Sequence, residues 1–205
     1  MKIVEPSAKM IWCTKNPEQV IEEAGRTCYK SEDQINDVSA STFIRMILKR
    51  GHDSVLEHAS ASFRIITDRG ITHEIVRHRL ASYSQESTRY CNYGKEKFGN
   101  EITVVKPSGI DNLVKQANWI KGVEEAEKAY FCLLEKDCPP QVARSVLPTC
   151  LKTEIVMTCN FREWRHFLKL RMAEAAHPDI QIIANQIQDQ LRQKAKTVFA
   201  LENLE

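Results

Sequence analysis

Two stretches of this sequence concentrate side chains that could do chemistry. Residues 77 to 90, RHRLASYSQESTRY, hold three arginines and four serines or threonines in fourteen positions, with no lysine. Planar guanidinium forks grip phosphates and flat heterocycles bidentately, whereas ammonium groups act as point charges. Such a stretch suits a nucleotide-like anion, and it equally suits a solvated loop tied by its own hydrogen bonds. Residues 160 to 171, NFREWRHFLKLR, form the second cluster. At about 100° per residue on a helix, Arg171 falls near the direction of Asn160 and Trp164, with Phe167 and Leu168 on either side. An arginine on an apolar face needs a core carboxylate or a ligand in a concavity. Arg162 and His166 are four apart and share another face, and Arg144 enters the apolar run Val146-Leu147-Pro148.

Other chemistries find less support. The seven glycines are scattered singly, with neither GxGxxG nor GxxxxGK[ST]. Any phosphate must therefore be held by side chains rather than by a glycine-rich loop. The seven cysteines form no CxxC pair and are odd in number, which argues against a disulfide framework or a structural zinc and fits a reducing compartment. None of them sits among polar partners that would activate a thiolate. His73-Glu74 and His78 resemble HExxH, but the second histidine is five positions on instead of four, which turns it away from a shared metal on a helix. His52 and His58 flank Glu57 and leave a metallohydrolase built on His52, His58, His73 and His78 as a competing reading, although no metal is expected.

The elements that must position these residues follow from periodicity and punctuation. Asn16-Pro17 reads as N-cap and first position of a helix running to Tyr29. Ser39 or Ser41 opens a second helix through Phe43, Ile44, Ile47 and Leu48, closed by Gly51. From Ala59, alternation puts Ala61, Phe63 and Ile65 on one face of a strand and Ser60, Ser62 and Arg64 on the other. Ile71 to Arg79 reads as a short helix, and Leu80 to Tyr93 as an irregular polar loop. A strand at 102–105, a long helix at 111–136, a break at Pro139-Pro140 and a strand at 151–159 follow. Helices at 161–172 and from Pro178 to about Leu201 close the chain, the last with Ile180, Ile183, Ile187 and Leu191 at core spacing. The fold class expected is α+β, a helix-rich single domain over residues 1–205 with a small, mainly antiparallel sheet.

Composition narrows the partners. The 205 residues carry 29 Lys plus Arg against 27 Asp plus Glu, a net charge of +2, so a nucleic-acid coat is not expected. Apolar residues make up 42%, with no run approaching the ~20 that a membrane span needs, and Met1 to Lys15 lacks the basic-then-apolar pattern of a leader. A soluble, cytoplasmic protein with no membrane partner is expected.

The segment from Arg77 to Tyr90 also reads RHRxxSxxxxSxRY, and it resembles the signature of flavin-dependent thymidylate synthases. Seven specified positions match, Arg77, His78, Arg79, Ser82, Ser87, Arg89 and Tyr90, a coincidence on the order of one in 10⁹ per window. Gly51-His52, Glu57-His58, Arg144 with Val146-Leu147-Pro148, and Asn160, Arg162, Leu170 and Arg171 look like further landmarks, in order, over roughly residues 20 to 200. The chain departs from the commonest signature at Ser84, where Asn is usual, at Gln85, where Glu is usual although Glu86 follows, and at His166, where an amide is frequent.

The resemblance implies reductive methylation of dUMP to dTMP, with methylenetetrahydrofolate as carbon donor and NADPH-reduced FAD as hydride source. It implies a dUMP site of Glu74, Ile75, Val76, Arg77, Gln85, Glu86, Ser87, Thr88, Arg89, Arg144 and Arg171. Ser87 and Arg89 then hold phosphate, and Arg171 is the catalytic residue that stabilises charge on the uracil ring. FAD contacts carry over to His52, Ser54, Arg77, His78, Arg79, Gln85, Asn160, Arg162 and His166. No cysteine nucleophile is needed, and Ser87 is expected to position rather than attack, since no histidine is placed by sequence to take its proton. A homotetramer with active sites shared between subunits is implied as well. The alternative from another class is an RNA-binding module using Arg77, Arg79 and Arg89 on phosphates and Tyr83 and Tyr90 for stacking.

Overall fold

A computed structural model describes residues 1–201 of the chain. The strands are β1 (Lys2–Val4), β2 (Ser7–Cys13), β3 (Ser60–Asp68), β4 (Ser82–Gln85), β5 (Thr103–Val105) and β6 (Lys152–Asn160). The α-helices are α1 (Pro17–Tyr29), α2 (Ser39–Lys49), α3 (Arg69–Ile75), α4 (Leu113–Glu135), α5 (Pro140–Ala143), α6 (Phe161–Arg171) and α7 (Pro178–Lys194). The helix-rich α+β class holds. Four strands pair in the order β2-β3-β6-β4, and β1 pairs with β5 in parallel, Lys2 opposite Thr103. The central pair is antiparallel: the Phe161 N–H donates to the Ala59 carbonyl (2.8 Å) at one end and the Arg69 N–H to the Leu151 carbonyl (3.1 Å) at the other.

The described chain groups into two compact units, one of residues 1–7, 66–77 and 84–155 and the other of residues 8–65, 78–83 and 156–201. In the first, Tyr93, Ile102, Val104, Val123, Tyr130, Ala143 and Leu151 form the buried core. In the second, α2 buries Phe43, Ile44 and Ile47, α6 buries Trp164, Phe167 and Leu168, and α7 buries Ile180, Ile183, Ile187 and Leu191. The Trp164 indole N–H donates to the Ala61 carbonyl (3.1 Å), which satisfies the one polar atom of that buried ring.

Several local expectations need correction. Asn16 does precede α1, but in the left-handed conformation (φ 47°) with no side-chain cap bond, a backbone state that asparagine tolerates better than most residues. Ser62 is buried, because it accepts a hydrogen bond from the Thr158 hydroxyl (2.8 Å) of the neighbouring strand. The helix read over 71–79 is α3, which starts earlier, where the Asp68 carboxylate accepts from the Ile71 N–H (2.8 Å), and stops at Ile75. The stretch read as wholly irregular contains β4, an edge strand held by backbone pairing rather than by an apolar face. The last helix ends at Lys194 rather than near Leu201.

Candidate active site

In the first unit the loop after β4 is pinned residue by residue. The Gln85 amide donates to the Thr72 hydroxyl (3.0 Å) and the Thr153 hydroxyl (3.2 Å). Glu86 is bound three ways. Its N–H donates to the Glu154 carbonyl (2.8 Å), its carbonyl accepts from the Arg69 guanidinium (3.3 Å), and its carboxylate accepts from Lys152 Nζ and the Tyr93 hydroxyl, both at 2.9 Å. Burial together with this carboxylate pushes the Tyr93 phenol far above its usual range.

The Ser87 carbonyl accepts from the N–H groups of Tyr90 (3.1 Å) and Cys91 (2.8 Å), and the Ser87 hydroxyl accepts from the Arg89 N–H (3.3 Å). Among the described residues no histidine or carboxylate hydrogen-bonds that hydroxyl. Thr88 is buried and its hydroxyl accepts from the Arg144 guanidinium (3.0 Å), so Arg144 lies against the loop. The Arg89 guanidinium sits over the ring of exposed Tyr90 (5.4 Å). At the end of α3, Glu74 is half-buried, Ile75 buried, and Val76 and Arg77 exposed.

In the second unit His78 is the centre. It is 4% exposed, and both ring nitrogens are engaged, Nδ1 with Glu163 Oε1 (3.2 Å) and Nε2 with Arg171 Nε (3.1 Å). An arginine has no acceptor, so Nε2 must accept and the neutral ring carries its proton on Nδ1, donated to Glu163. Burial, reinforced by the nearby Arg171 and His166, lowers the His78 pKa to about 4. Burial likewise raises the Glu163 carboxyl, with His166 opposing. The Tyr83 hydroxyl donates to the His78 carbonyl (2.6 Å), and the His166 and Phe167 rings pack on the imidazole at 5.6 and 4.9 Å.

A cleft of about 930 Å³ opens beside this cluster, lined in part by Asn160, Arg162, Arg165, His166 and Lys169. The side chain of Asn160 caps α6 by accepting from the Glu163 N–H (2.9 Å), and Arg162 pairs with Glu57 (2.6 Å) on the exposed rim. His52 is exposed with Nδ1 beside the Tyr29 hydroxyl (2.9 Å), Ser54 lies exposed on the turn Asp53–His58, and Arg79 is exposed.

Sequence reasoning missed Glu163, Arg69, Tyr93 and Lys152, and gave Tyr83 only a stacking role in the RNA-binding alternative. Only Glu163 left a trace, since it precedes Phe167 by four and so shares an apolar face. Among the described residues one group could converge on an ion, His78, Glu163 and His166, with ligand atoms within 4.8 Å of one another. The guanidinium donating to His78 opposes a second cation there. The HExxH-like pair does not share a helix, because α3 ends at Ile75.

The profile of the family described as thymidylate synthase complementing protein matches residues 9–195. The chain belongs to this family. Among its relatives is a flavin-dependent thymidylate synthase of Corynebacterium efficiens, 37% identical over 95% of this chain and 84% of that one. One from Mycobacterium avium is 36% identical over 88% of this chain and 78% of its own. Among solved structures, the UMP/dUMP methylase PolB from Streptomyces cacaoi, bound with 5-Br dUMP, superposes with a TM-score of 0.84 at 22% identity, covering 97% of this chain and 95% of that one, a likeness of fold.

Proposed function

We propose that this family member is a flavin-dependent thymidylate synthase that converts dUMP to dTMP. The observation that carries the reading is Arg171, a guanidinium of the second polar cluster that bonds the buried neutral His78 of the signature segment. Methylation at uracil C5 requires that carbon to become nucleophilic, which accumulates negative charge on the O4 and N3 side of the ring. A guanidinium already oriented in a water-poor site stabilises that charge without reorganising. Arg171 is assigned this role.

The phosphate of dUMP is assigned to Ser87, Arg89 and Arg144, which lie on or against one pinned loop. Glu74, Ile75, Val76, Arg77, Gln85, Glu86 and Thr88 shape that site. Gln85, Glu86 and Thr88 act largely through the bonds that hold the loop, since their side chains are engaged within the chain.

The donor set fits FAD: Asn160, Arg162 and His166 line a cleft in which Arg162, Arg165 and Lys169 offer donors to a pyrophosphate held by side chains beside Asp53, Glu57 and Glu163, and Arg77, Arg79, Gln85, Ser54, His52 and His78 complete the assignment. When bound and reduced by NADPH, the flavin supplies the hydride and methylenetetrahydrofolate the carbon. A thiol nucleophile is not part of the reading, and it would be poorly served here: burial pushes the thiols of Cys13, Cys150 and Cys159 upward. We assign the enzyme to the cytoplasm as a homotetramer with sites shared between subunits. No described helix is long and apolar enough to cross a membrane.

The test is a visible spectrum followed by product analysis. The protein is expected to purify yellow or to bind added FAD, to change that spectrum on adding dUMP, and to form dTMP with methylenetetrahydrofolate and NADPH. A colourless protein that ignores FAD at high micromolar concentration ends the reading.

A further inference from the structure

We infer that Glu163 is a positioning residue that acts through His78 to hold the Arg171 guanidinium in its working orientation. The inference rests on the reading of Arg171 given above and goes beyond it, because it assigns a purpose to a buried carboxylate and to the tautomer of a histidine.

The geometry is a chain of three side chains. Glu163, 6% exposed, faces His78 Nδ1, and His78 Nε2 faces Arg171 Nε. An ionised carboxylate only accepts hydrogen bonds, so beside Nδ1 it selects the tautomer with the proton there. That choice leaves Nε2 as a bare acceptor, the one form of the ring that can receive the Arg171 Nε–H. The opposite tautomer would set two N–H groups against each other.

The rest of the surroundings supports the same state. The Tyr83 hydroxyl clamps the backbone carbonyl of His78, and Phe167 and His166 fix the ring plane. The depressed basicity of the imidazole keeps it neutral, and a protonated ring could not accept from arginine. With both ring nitrogens engaged inside the chain by Glu163 and Arg171, the flavin contact assigned to His78 is one of its backbone or ring carbons and not of a ring nitrogen. Bonding at Nε sets the plane of the guanidinium, and that plane decides where its remaining donors point. Partners of this kind, one bond removed from the reacting group, act by orientation. Their loss costs about 10- to 100-fold in rate.

The experiment uses the FAD-loaded protein with ¹⁵N-labelled histidine, His78→Gln identifying the resonances that belong to His78. In the wild type at neutral pH, Nδ1 is expected to show the protonated shift and Nε2 the unprotonated one. Glu163→Gln introduces an amide that can donate to Nδ1 as well as accept, so the Nε2–H form should become populated. The single-turnover rate of the FAD-saturated protein with dUMP and methylenetetrahydrofolate should then fall about 10-fold or more, while dUMP affinity stays within about threefold. His78→Gln, whose amide oxygen can stand where Nε2 stands, should retain more of the rate than His78→Leu, which offers no acceptor. Should Glu163→Gln fail to fold, the wild-type nitrogen shifts and the two His78 variants still decide.

Protonation of Nε2 in the wild type overturns the relay. So does an unchanged rate in Glu163→Gln, or equal rates in His78→Gln and His78→Leu. A near-normal rate in Arg171→Ala marks a different failure, that of the reading of Arg171 itself, and removes the purpose assigned to the relay whatever the shifts show.

Discussion

The loop of residues 85–93 and the cluster around His78 use polar side chains in opposite ways. In the loop, polar side chains are satisfied locally: Glu86 meets Lys152 and Tyr93, Gln85 meets two threonine hydroxyls, and Arg144 meets neutral Thr88. Its own arginine, Arg89, is left exposed. Around His78, burial and positive charge act instead: Arg171 and His166 both oppose protonation of the ring, while Glu163 faces its Nδ1. The first arrangement makes a stiff rim on which an anion can settle. The second uses burial and repulsion to strip a histidine of its proton, and under the role proposed for Arg171 it holds that guanidinium ready for charge that has yet to form. Rigidity and electrostatic tension are thus placed in separate regions, and substitutions should fail differently in each.

The largest effect is expected at Arg171. Arg171→Ala should leave a folded protein that keeps FAD yet loses about 3 to 4 kcal/mol of transition-state stabilisation, a rate loss of about 10² to 10³, read as single-turnover oxidation of reduced flavin. The same variant tests whether the two regions meet across subunits. Under the shared-site proposal, Arg144 of one chain serves dUMP together with Arg171 of its neighbour. Arg144→Ala and Arg171→Ala would then each be inactive alone, but a mixed pair holds one intact site, so random mixing restores roughly a quarter of wild-type activity. Mixed oligomers seen by mass spectrometry without any recovery place both arginines in one chain's site.

Next comes acid sensitivity, which should belong to the His78 region. The folded pKa of about 4 lies below the ordinary 6.5, so between those values the unfolded chain binds the proton that the folded one refuses. Stability contributed by this group is therefore full above about pH 6.5 and falls as pH drops towards 4, by at most about 3 kcal/mol. The raised Glu163 carboxyl works in the opposite sense. The His78 contribution is read as the difference in urea midpoints between wild type and His78→Gln, followed from pH 7 to pH 4. Parallel curves would mean that the histidine is not held neutral by its surroundings.

Smaller effects are expected from the loop. Ser87→Ala should keep measurable activity, because one hydrogen bond to a charged phosphate is worth about 1.5 to 3 kcal/mol. Complete loss with normal dUMP binding would make Ser87 a nucleophile rather than a positioning group. Glu86→Gln keeps the shape but removes the charge facing Lys152 and should cost about 1 to 2 kcal/mol of stability in urea unfolding. An unaffected midpoint would show that this pin contributes nothing net.

Much of both regions was legible in order along the chain. The RHRxxSxxxxSxRY spacing, the helical phase that turned Arg171 towards Trp164 and Phe167, and the isoleucine ladder of α7 are local patterns, readable because helix and strand periods are fixed by backbone geometry. The strand β4 was not legible, because a polar edge strand owes its existence to the neighbour that accepts its backbone bonds.

What the sequence determined by itself, then, was which residue types are present and how they are phased within single elements. The tertiary structure alone decided which of them meet. His78 and Glu163 are 85 positions apart and His78 and Arg171 are 93 apart, separations over which no periodicity operates. A histidine's tautomer, its lost basicity and the aim of an arginine depend on burial and on partners a few ångströms away, and those exist only once the chain has packed.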